Sequence, residues 1–223
     1  MSTQQEWSFI HGLVRLQRPR IAIEVGVAQG GMACAIYSAL DQNTHDTGIE
    51  SWYTGFDIWE THGIHNQFVQ MGSAYEVHMK LSDIGNRFAL VKIDTQKNQK
   101  QFKTELSNRF TLGIDFAFID GCHSYDGLKN DFYNILPHMN PKGIIALHDT
   151  SVIDGCREFV IDLRLSDNLN FDIMDFPYGT NERNCGVTIL TTPGHGDVNI
   201  DEICGSPNEP DKIYEKENNY RRV

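Results

Sequence analysis

Two rhythms alternate along this chain, short apolar runs and longer stretches with apolar residues every three or four positions. Residues 3 to 17 carry Trp7, Ile10, Leu13, Val14 and Leu16, an approximate helical stripe that Pro19 ends. "RIAIEVG" (20–26) is a β-branched run closing on glycine and reads as a buried strand. "GGMACAIYSALDQ" (30–42) is helical, with Met32, Ala35, Ile36 and Ala39 on one face. The pattern then repeats: strand 51–57, helix 73–84, strand 88–94, helix 96–110, strand 114–120, helix 125–136 with Ser124 as its cap, strand 143–149 and helix 153–164. "NFDIMDF" (170–176) and "CGVTILTT" (185–192) form a closing antiparallel pair across the turn-rich link "PYGTNERN". The 58–72 segment is polar and contains histidines, and from Pro193 onward the pattern dissolves.

Strands that alternate with helices imply an α/β fold, a Rossmann-like doubly wound sheet of about seven strands with helices on both faces. The sheet is expected to be mostly parallel, with one antiparallel closing strand. A single domain over residues 1–192, with an N-terminal helix at 1–18 and an acidic, loosely structured tail at 193–223, accounts for all 223 residues. Right-handed crossovers place the C-terminal ends of the parallel strands on one edge, where open α/β sheets bind ligands.

That edge is where the chemistry collects. The first strand ends in Glu24 and Gly26, the second in Asp57, the third in Asp94, the fourth in Asp120, and the fifth in His148 and Asp149. So many acids on one rim suit a ligand that is cationic or rich in hydroxyls. In "EVGVAQGG", Gly26, Gly30 and Gly31 allow a sharp turn, but the spacing is not G-x-G-x-x-G, and no Lys-Ser/Thr follows for a phosphate loop. Asp57 is placed to accept both hydroxyls of a ribose, and Asp94 with Thr95 to frame an adenine. "IDGCHSYDG" sets His123 three residues after Asp120.

Charge and cysteine usage narrow the partners. A formal net charge of -11 disfavours nucleic acid. Five scattered cysteines without a C-x-x-C pair suggest reduced thiols in a cytoplasmic protein. No stretch approaches the ~20 apolar residues of a membrane span, and the N-terminus lacks an apolar signal core.

"IAIEVGVAQGG", "YTGFD", "FAFIDGCHSYDGLKNDFYNILPHMNPKGIIALHD" and "CGVTIL" together resemble a class I S-adenosylmethionine-dependent methyltransferase. The nearest resemblance is to catechol-type and macrocin-type small-molecule O-methyltransferases, a family 24-like branch that also includes cephalosporin-hydroxylase-like proteins. It covers about residues 20 to 192. The resemblance implies that Glu24, Gly26 and Gly30 hold the methionine part of S-adenosylmethionine, Asp57 its ribose, and Asp94 and Thr95 its adenine, with Asp120 also at the cofactor. It implies a divalent metal, Mg²⁺ or Mn²⁺, on Asp120, His148 and Asp149. The position of His148 is often an acid or Asn in metal-dependent relatives, and histidine is a poorer ligand for a hard ion. His123 resembles a catalytic base.

The chemistry of methyl transfer to oxygen agrees, since it needs positioning and a deprotonated hydroxyl. The implied acceptor is a hydroxylated small molecule of sugar or phenol type. Two rivals remain: a nicotinamide-dependent oxidoreductase, and a non-catalytic protein with a methyltransferase fold. His62 and His65 read as a solvated or substrate-facing loop, and Trp59 as either a substrate cover or core. The N-terminal helix and the last strands are the candidate faces for a homodimer.

Overall fold

The computed structural model describes residues 3–59, 61–64, 67–70, 72–166, 171–176 and 185–193. In chain order the elements are α1 (Gln4–Gln17), β1 (Ile21–Val25), α2 (Gly31–Thr47), β2 (Trp52–Asp57), β3 (Thr61–Ile64), β4 (Gln67–Gln70), α3 (Ala74–Ser82), β5 (Phe88–Lys92) and α4 (Gln99–Arg109). They continue with β6 (Ile114–Ile119), α5 (Tyr125–Ile135), a single 3₁₀ turn at Leu136–His138, β7 (Met139–His148), α6 (Asp154–Leu165), β8 (Asp172–Phe176) and β9 (Val187–Thr191).

Seven strands form one sheet in the order β5-β2-β1-β6-β7-β9-β8. Pairing is parallel from β5 through β7, and β9 runs antiparallel to both of its neighbours. Six strands therefore share one direction and β9 alone is reversed, the closing strand expected from the sequence. Alternation along each strand divides the core into two layers. Ala22, Phe116, Phe118, Ile144 and Ala146 pack with Ile10 and Val14 of α1, Ile36 and Leu40 of α2, and Val77 and Leu81 of α3. Ile23, Val25, Ala117, Ile145 and Leu147 pack with Phe102 of α4, Phe132 of α5 and Phe159 of α6.

Local signals explain the helix ends. Thr3 and Glu6 form a capping box on α1: the Thr3 hydroxyl accepts from Glu6 N, and Glu6 Oε2 accepts from Thr3 N at 2.5 Å. The stripe that α1 buries is Glu6, Ile10 and Val14, whereas Leu16, expected on that face, is exposed. Ser124 caps α5 as expected, accepting from Gly127 N at 3.1 Å. The helix α2 runs five residues past its expected end, to Thr47. Asn43 makes this tolerable: its side-chain amide donates to Val14 O at 2.9 Å and its oxygen accepts from Arg15 at 2.5 Å, so a polar turn docks on α1.

Three further expectations shift. The strand β7 begins at Met139, not 143, because a register irregularity between Ile114 and Phe116 absorbs the Pro141–Gly143 turn within the strand. The helix α4 begins at Gln99, since Asp94 turns the preceding residues back on themselves. The polar 58–72 segment contains an antiparallel hairpin, β3 with β4, separate from the main sheet. His65, the 177–184 link and the tail from residue 194 lie outside the described residues. Among the described residues no helix is long and apolar enough to cross a membrane.

The second layer turns on Phe132, which is fully buried and meets the rings of Tyr133, Phe159 and Phe171 at 5.2–5.9 Å. Phe132→Ala is expected to cost about 3–5 kcal/mol of stability, read from chemical denaturation as a lower midpoint with an unchanged slope.

Candidate functional site

The chain leaves β1 toward β2 on one side, while β6 lies against β1 on the other. The crossovers diverge at the C-terminal ends of these strands, the place where open α/β sheets bind ligands. Gly26 makes the first turn there with φ +90, a conformation that glycine adopts without penalty. Its backbone lies flat against the end of β6: Asp120 N donates to Val25 O at 2.8 Å, and a Cβ on residue 26 would fall 2.0 Å from Asp120 O. Asp57 ties the rest of the loop down, its two oxygens accepting from Ala28 N at 2.8 Å and Trp59 N at 2.6 Å. Each carboxylate oxygen keeps a lone pair free for a hydroxyl. Trp59 is core, with its indole N–H donating to Ala28 O at 3.2 Å. Gly30 caps α2 in a left-handed conformation, φ +81.

A second group forms at the ends of β6 and β7. His148 is the last residue of β7, and Asp149 follows with φ +60. His148 Nδ1 lies 3.0 Å from Asp120 Oδ1 and 3.4 Å from Asp149 Oδ1. His123 Nε2 lies 3.2 Å from Asp120 Oδ1 and 3.2 Å from Asp149 Oδ2. The two imidazoles differ in access: the His148 side chain is 0% exposed and that of His123 43%. Burial works against the Asp120 carboxylate, yet the charge of His148 and hydrogen bonds from both histidines outweigh it and hold Asp120 below the usual range. Burial alone would also lower His148, but Asp120, Asp149 and Glu6 drive it far upward. The hydrogen bond to Asp120 likewise raises His123.

Sequence reasoning brought Asp120, His123, His148 and Asp149 to one rim, and the structure joins all four. It missed Glu6. The second nitrogen of His148, Nε2, lies 3.4 Å from Glu6 Oε1, and both side chains are fully buried. The available signal was an acid at i, with apolar Ile10 and Val14 at i+4 and i+8, on the buried face of α1. Cys185 comes close to the same pair, and burial with Asp149 nearby pushes its thiol up to about 11.

Glu24 points into the α1–α3 layer with 1% exposure, and the Tyr53 hydroxyl donates to its Oε2 at 2.5 Å. Burial raises its pKa to about 8 despite the Tyr53 hydrogen bond, with Asp120 and Asp57 adding to the rise. Asp94 and Thr95 stand apart from this group. Asp94 Oδ1 accepts from Gln96 N and Lys97 N at 3.0 Å each, and Lys97 Nζ lies 3.2 Å from Oδ2. Thr95 is buried, its carbonyl accepting from Asn130 at 3.2 Å. Asp131, also missed, reaches this corner through Gln96 at 3.0 Å.

Residues 23–150 match a family described as a methyltransferase domain. The uncharacterized protein y4gI of Sinorhizobium fredii is 25% identical over 150 residues, 63% of this chain. That match spans only 14% of the length of the curated relative. Among solved structures, the O-methyltransferase TomG from Streptomyces achromogenes in complex with SAM superposes with a TM-score of 0.64 at 16% identity, covering 87% of this chain and 82% of that one. The O-methyltransferase from Bacillus cereus in complex with SAH gives 0.62 at 13%, covering 86% and 82%. The SAH-bound methyltransferase PaMTH1 of Podospora anserina gives 0.60 at 17%, covering 85% and 79%. These three likenesses establish a shared fold.

The buried Glu24 carboxyl generates a pH prediction. Its folded pKa of about 8 stands above the ordinary 4.5, so the folded chain keeps a proton that the unfolded chain gives up. The stability this contributes is complete below about 4.5 and is lost as pH rises through about 8. Glu24→Gln retains an oxygen for Tyr53 and carries no charge. In urea titrations the variant should match the wild type near pH 4.5 and exceed it above pH 8; equal pH slopes would refute a buried neutral Glu24.

Proposed function

The chain belongs to the methyltransferase-domain family, and from that premise we propose that it transfers a methyl group from S-adenosylmethionine to a hydroxyl of a sugar- or phenol-type small molecule. One observation carries this reading: His123, half exposed, is held through Nε2 by Asp120 and Asp149 at 3.2 Å each, on the same rim as Gly26 and Asp57.

The residues fit that cofactor. Asp57 and Asp120 are carboxylates, Glu24 is a buried carboxyl beside them, and none of the three is hydrogen-bonded to a lysine or arginine among the described residues, which suits a ligand bearing an ammonium and a sulfonium. When bound, S-adenosylmethionine supplies the methyl group on its cationic sulfur. Glu24 faces the amino-acid part, and a cation beside it favours its ionised form. Asp57, already oriented by Ala28 N and Trp59 N, accepts from the ribose hydroxyls. Gly26 and Gly30 keep the loop close enough for a ligand to pack on its backbone. Thr95 and the turn around Asp94 lie at the adenine end.

His123 works on the acceptor. With Nε2–H directed at the two aspartates, Nδ1 is the ring atom left to take a proton from the attacking hydroxyl. The carboxylates fix the ring and stabilise its charge after the transfer, the role that an aspartate plays behind a catalytic histidine elsewhere. Asp120, His123 and Asp149 each bring a donor atom within 4.8 Å of the others, a mixed oxygen and nitrogen set that suits a hard Mg²⁺ ion poorly. Such an ion needs oxygen ligands in an octahedron, and here two imidazoles already occupy Asp120 Oδ1. No step is therefore assigned to it.

Calorimetric titration of S-adenosylmethionine into the wild type and Asp57→Ala is the first test, with NADH as the competing ligand. Binding should be weakened roughly tenfold or more by Asp57→Ala, the loss of charge-assisted hydrogen bonds. His123→Ala should keep cofactor affinity yet slow methylation of a panel of catechols and hydroxylated sugars by about 10²–10⁴. Binding of NADH instead would favour an oxidoreductase. Cofactor bound with no transfer to any acceptor would favour a binding protein, and a fully active His123→Ala would remove the base.

A further inference from the structure

We propose that Glu6, His148 and Cys185 form a site for one borderline divalent cation such as Zn²⁺, on the side of His148 that faces away from Asp120. The proposal does not depend on methyl transfer.

Three donors converge here: a carboxylate oxygen, an imidazole nitrogen and a sulfur, all within 4.8 Å of one another. Two of the three atoms are buried and lack a hydrogen bond. Glu6 Oε1 and His148 Nε2 are shut off from solvent without a hydrogen bond of acceptable geometry, although they lie only 3.4 Å apart. Orphaned polar atoms of this kind are rare in a folded chain and signal a missing partner. A cation between them would satisfy both at once.

The surroundings are built as ligand supports. Glu6 spends its other oxygen, Oε2, on the Thr3 backbone at 2.5 Å, which aims Oε1 at the histidine. Cys185 sits just before β9, its carbonyl accepting from Ser151 N at 2.9 Å, so its backbone is pinned beside the end of β7. His148 Nδ1 lies 3.0 Å from Asp120 Oδ1. With Nδ1–H donating to that carboxylate, the proton on Nε2 is the one that a cation displaces, and the charge of the ion takes that proton's place beside Glu6. A carboxylate behind a histidine in this way is the usual outer support of a zinc ligand.

The donor set chooses the ion. Thiolate, imidazole and carboxylate are the ligands of Zn²⁺ and its neighbours, not of Mg²⁺ or Ca²⁺. The charges of Glu6 and a Cys185 thiolate balance a divalent ion, the thiol proton and the Nε2 proton of His148 both leaving to solvent. Three protein ligands leave a fourth tetrahedral position. Glu6 and Cys185 both fall outside residues 23–150, the stretch that matches the family, and His148 falls within it. Such an ion would clip α1 to the C-terminal rim of the sheet and to the segment entering β9.

The test is a titration of the full chain with Co²⁺, followed by displacement with Zn²⁺. One equivalent should bind, with the visible bands of a tetrahedral ion and a near-ultraviolet thiolate-to-cobalt band. Cys185→Ser should abolish the thiolate band. Glu6→Gln, which keeps an oxygen for Thr3, should weaken binding, and Asp120→Asn should weaken it about 10–100-fold. His123→Ala should leave it intact, and circular dichroism should confirm that each variant is folded. The proposal is overturned by the absence of stoichiometric binding or by a thiolate band that survives Cys185→Ser. Affinity unchanged in Glu6→Gln also overturns it. So does an ion lost in His123→Ala and kept in Cys185→Ser, which would sit between Asp120 and Asp149 instead.

Discussion

His148 is enclosed by carboxylates from Glu6, Asp120 and Asp149, and it carries no exposed surface. A parallel sheet sends the ends of its strands to one edge, so any acids placed there must repel one another. A buried positive charge in their midst offsets that repulsion and lets Asp120 and Asp149 stay ionised side by side. Because they stay ionised, they can grip His123, and because His123 is gripped it presents one defined nitrogen outward from the rim. The rim is thus organised from the inside outward, with the buried imidazole as its counter-charge and the exposed one as its working surface. Removing either carboxylate would leave the other residues with unbalanced charge in a poorly solvated place.

The fold was largely legible because its signals are local. Apolar runs such as "FAFID" and "IIALHD" are short, dense and punctuated by glycine or acid, which leaves little room for another assignment. The extension of α2 was not legible, since Asn43 looks like a helix breaker until Val14 and Arg15 are known to engage it. The register irregularity in β7 was hidden for a similar reason: Pro141 and Gly143 announce a turn, and only pairing with β6 keeps the strand intact. The hairpin β3–β4 contains His62, Gly63 and Gln67, a composition that suits a loop as readily as a strand.

The rim residues were legible where topology alone fixed them. Glu24, Asp57, Asp120, His148 and Asp149 all follow from strand ends and a common direction. Contacts between distant segments were not. Glu6 belongs to a helix whose stripe was read for its apolar members, and its partnership with His148 spans almost the whole matched domain. Tyr53 beneath Glu24 needed the register of β1 against β2, which a sequence does not display. Asp94 shows the converse. It occupies a strand-end position like the others, yet its own turn and Lys97 engage both of its oxygens.

The sheet order carries one more consequence, for how the chain is made. The strand β9 lies between β7 and β8, and among the described residues β8 pairs with no other strand. A ribosome therefore releases β8 before β9, the strand that it pairs with. Until residues 187–191 emerge, β7 has an open edge and β8 has nothing to bond to. The reversed strand must slide into a slot between two older neighbours, so the sheet is completed from its middle and not by adding to its rim. Nascent chains stalled short of that point would expose the edge of β7 to other molecules, and β9 acts as the stopper that ends the hazard.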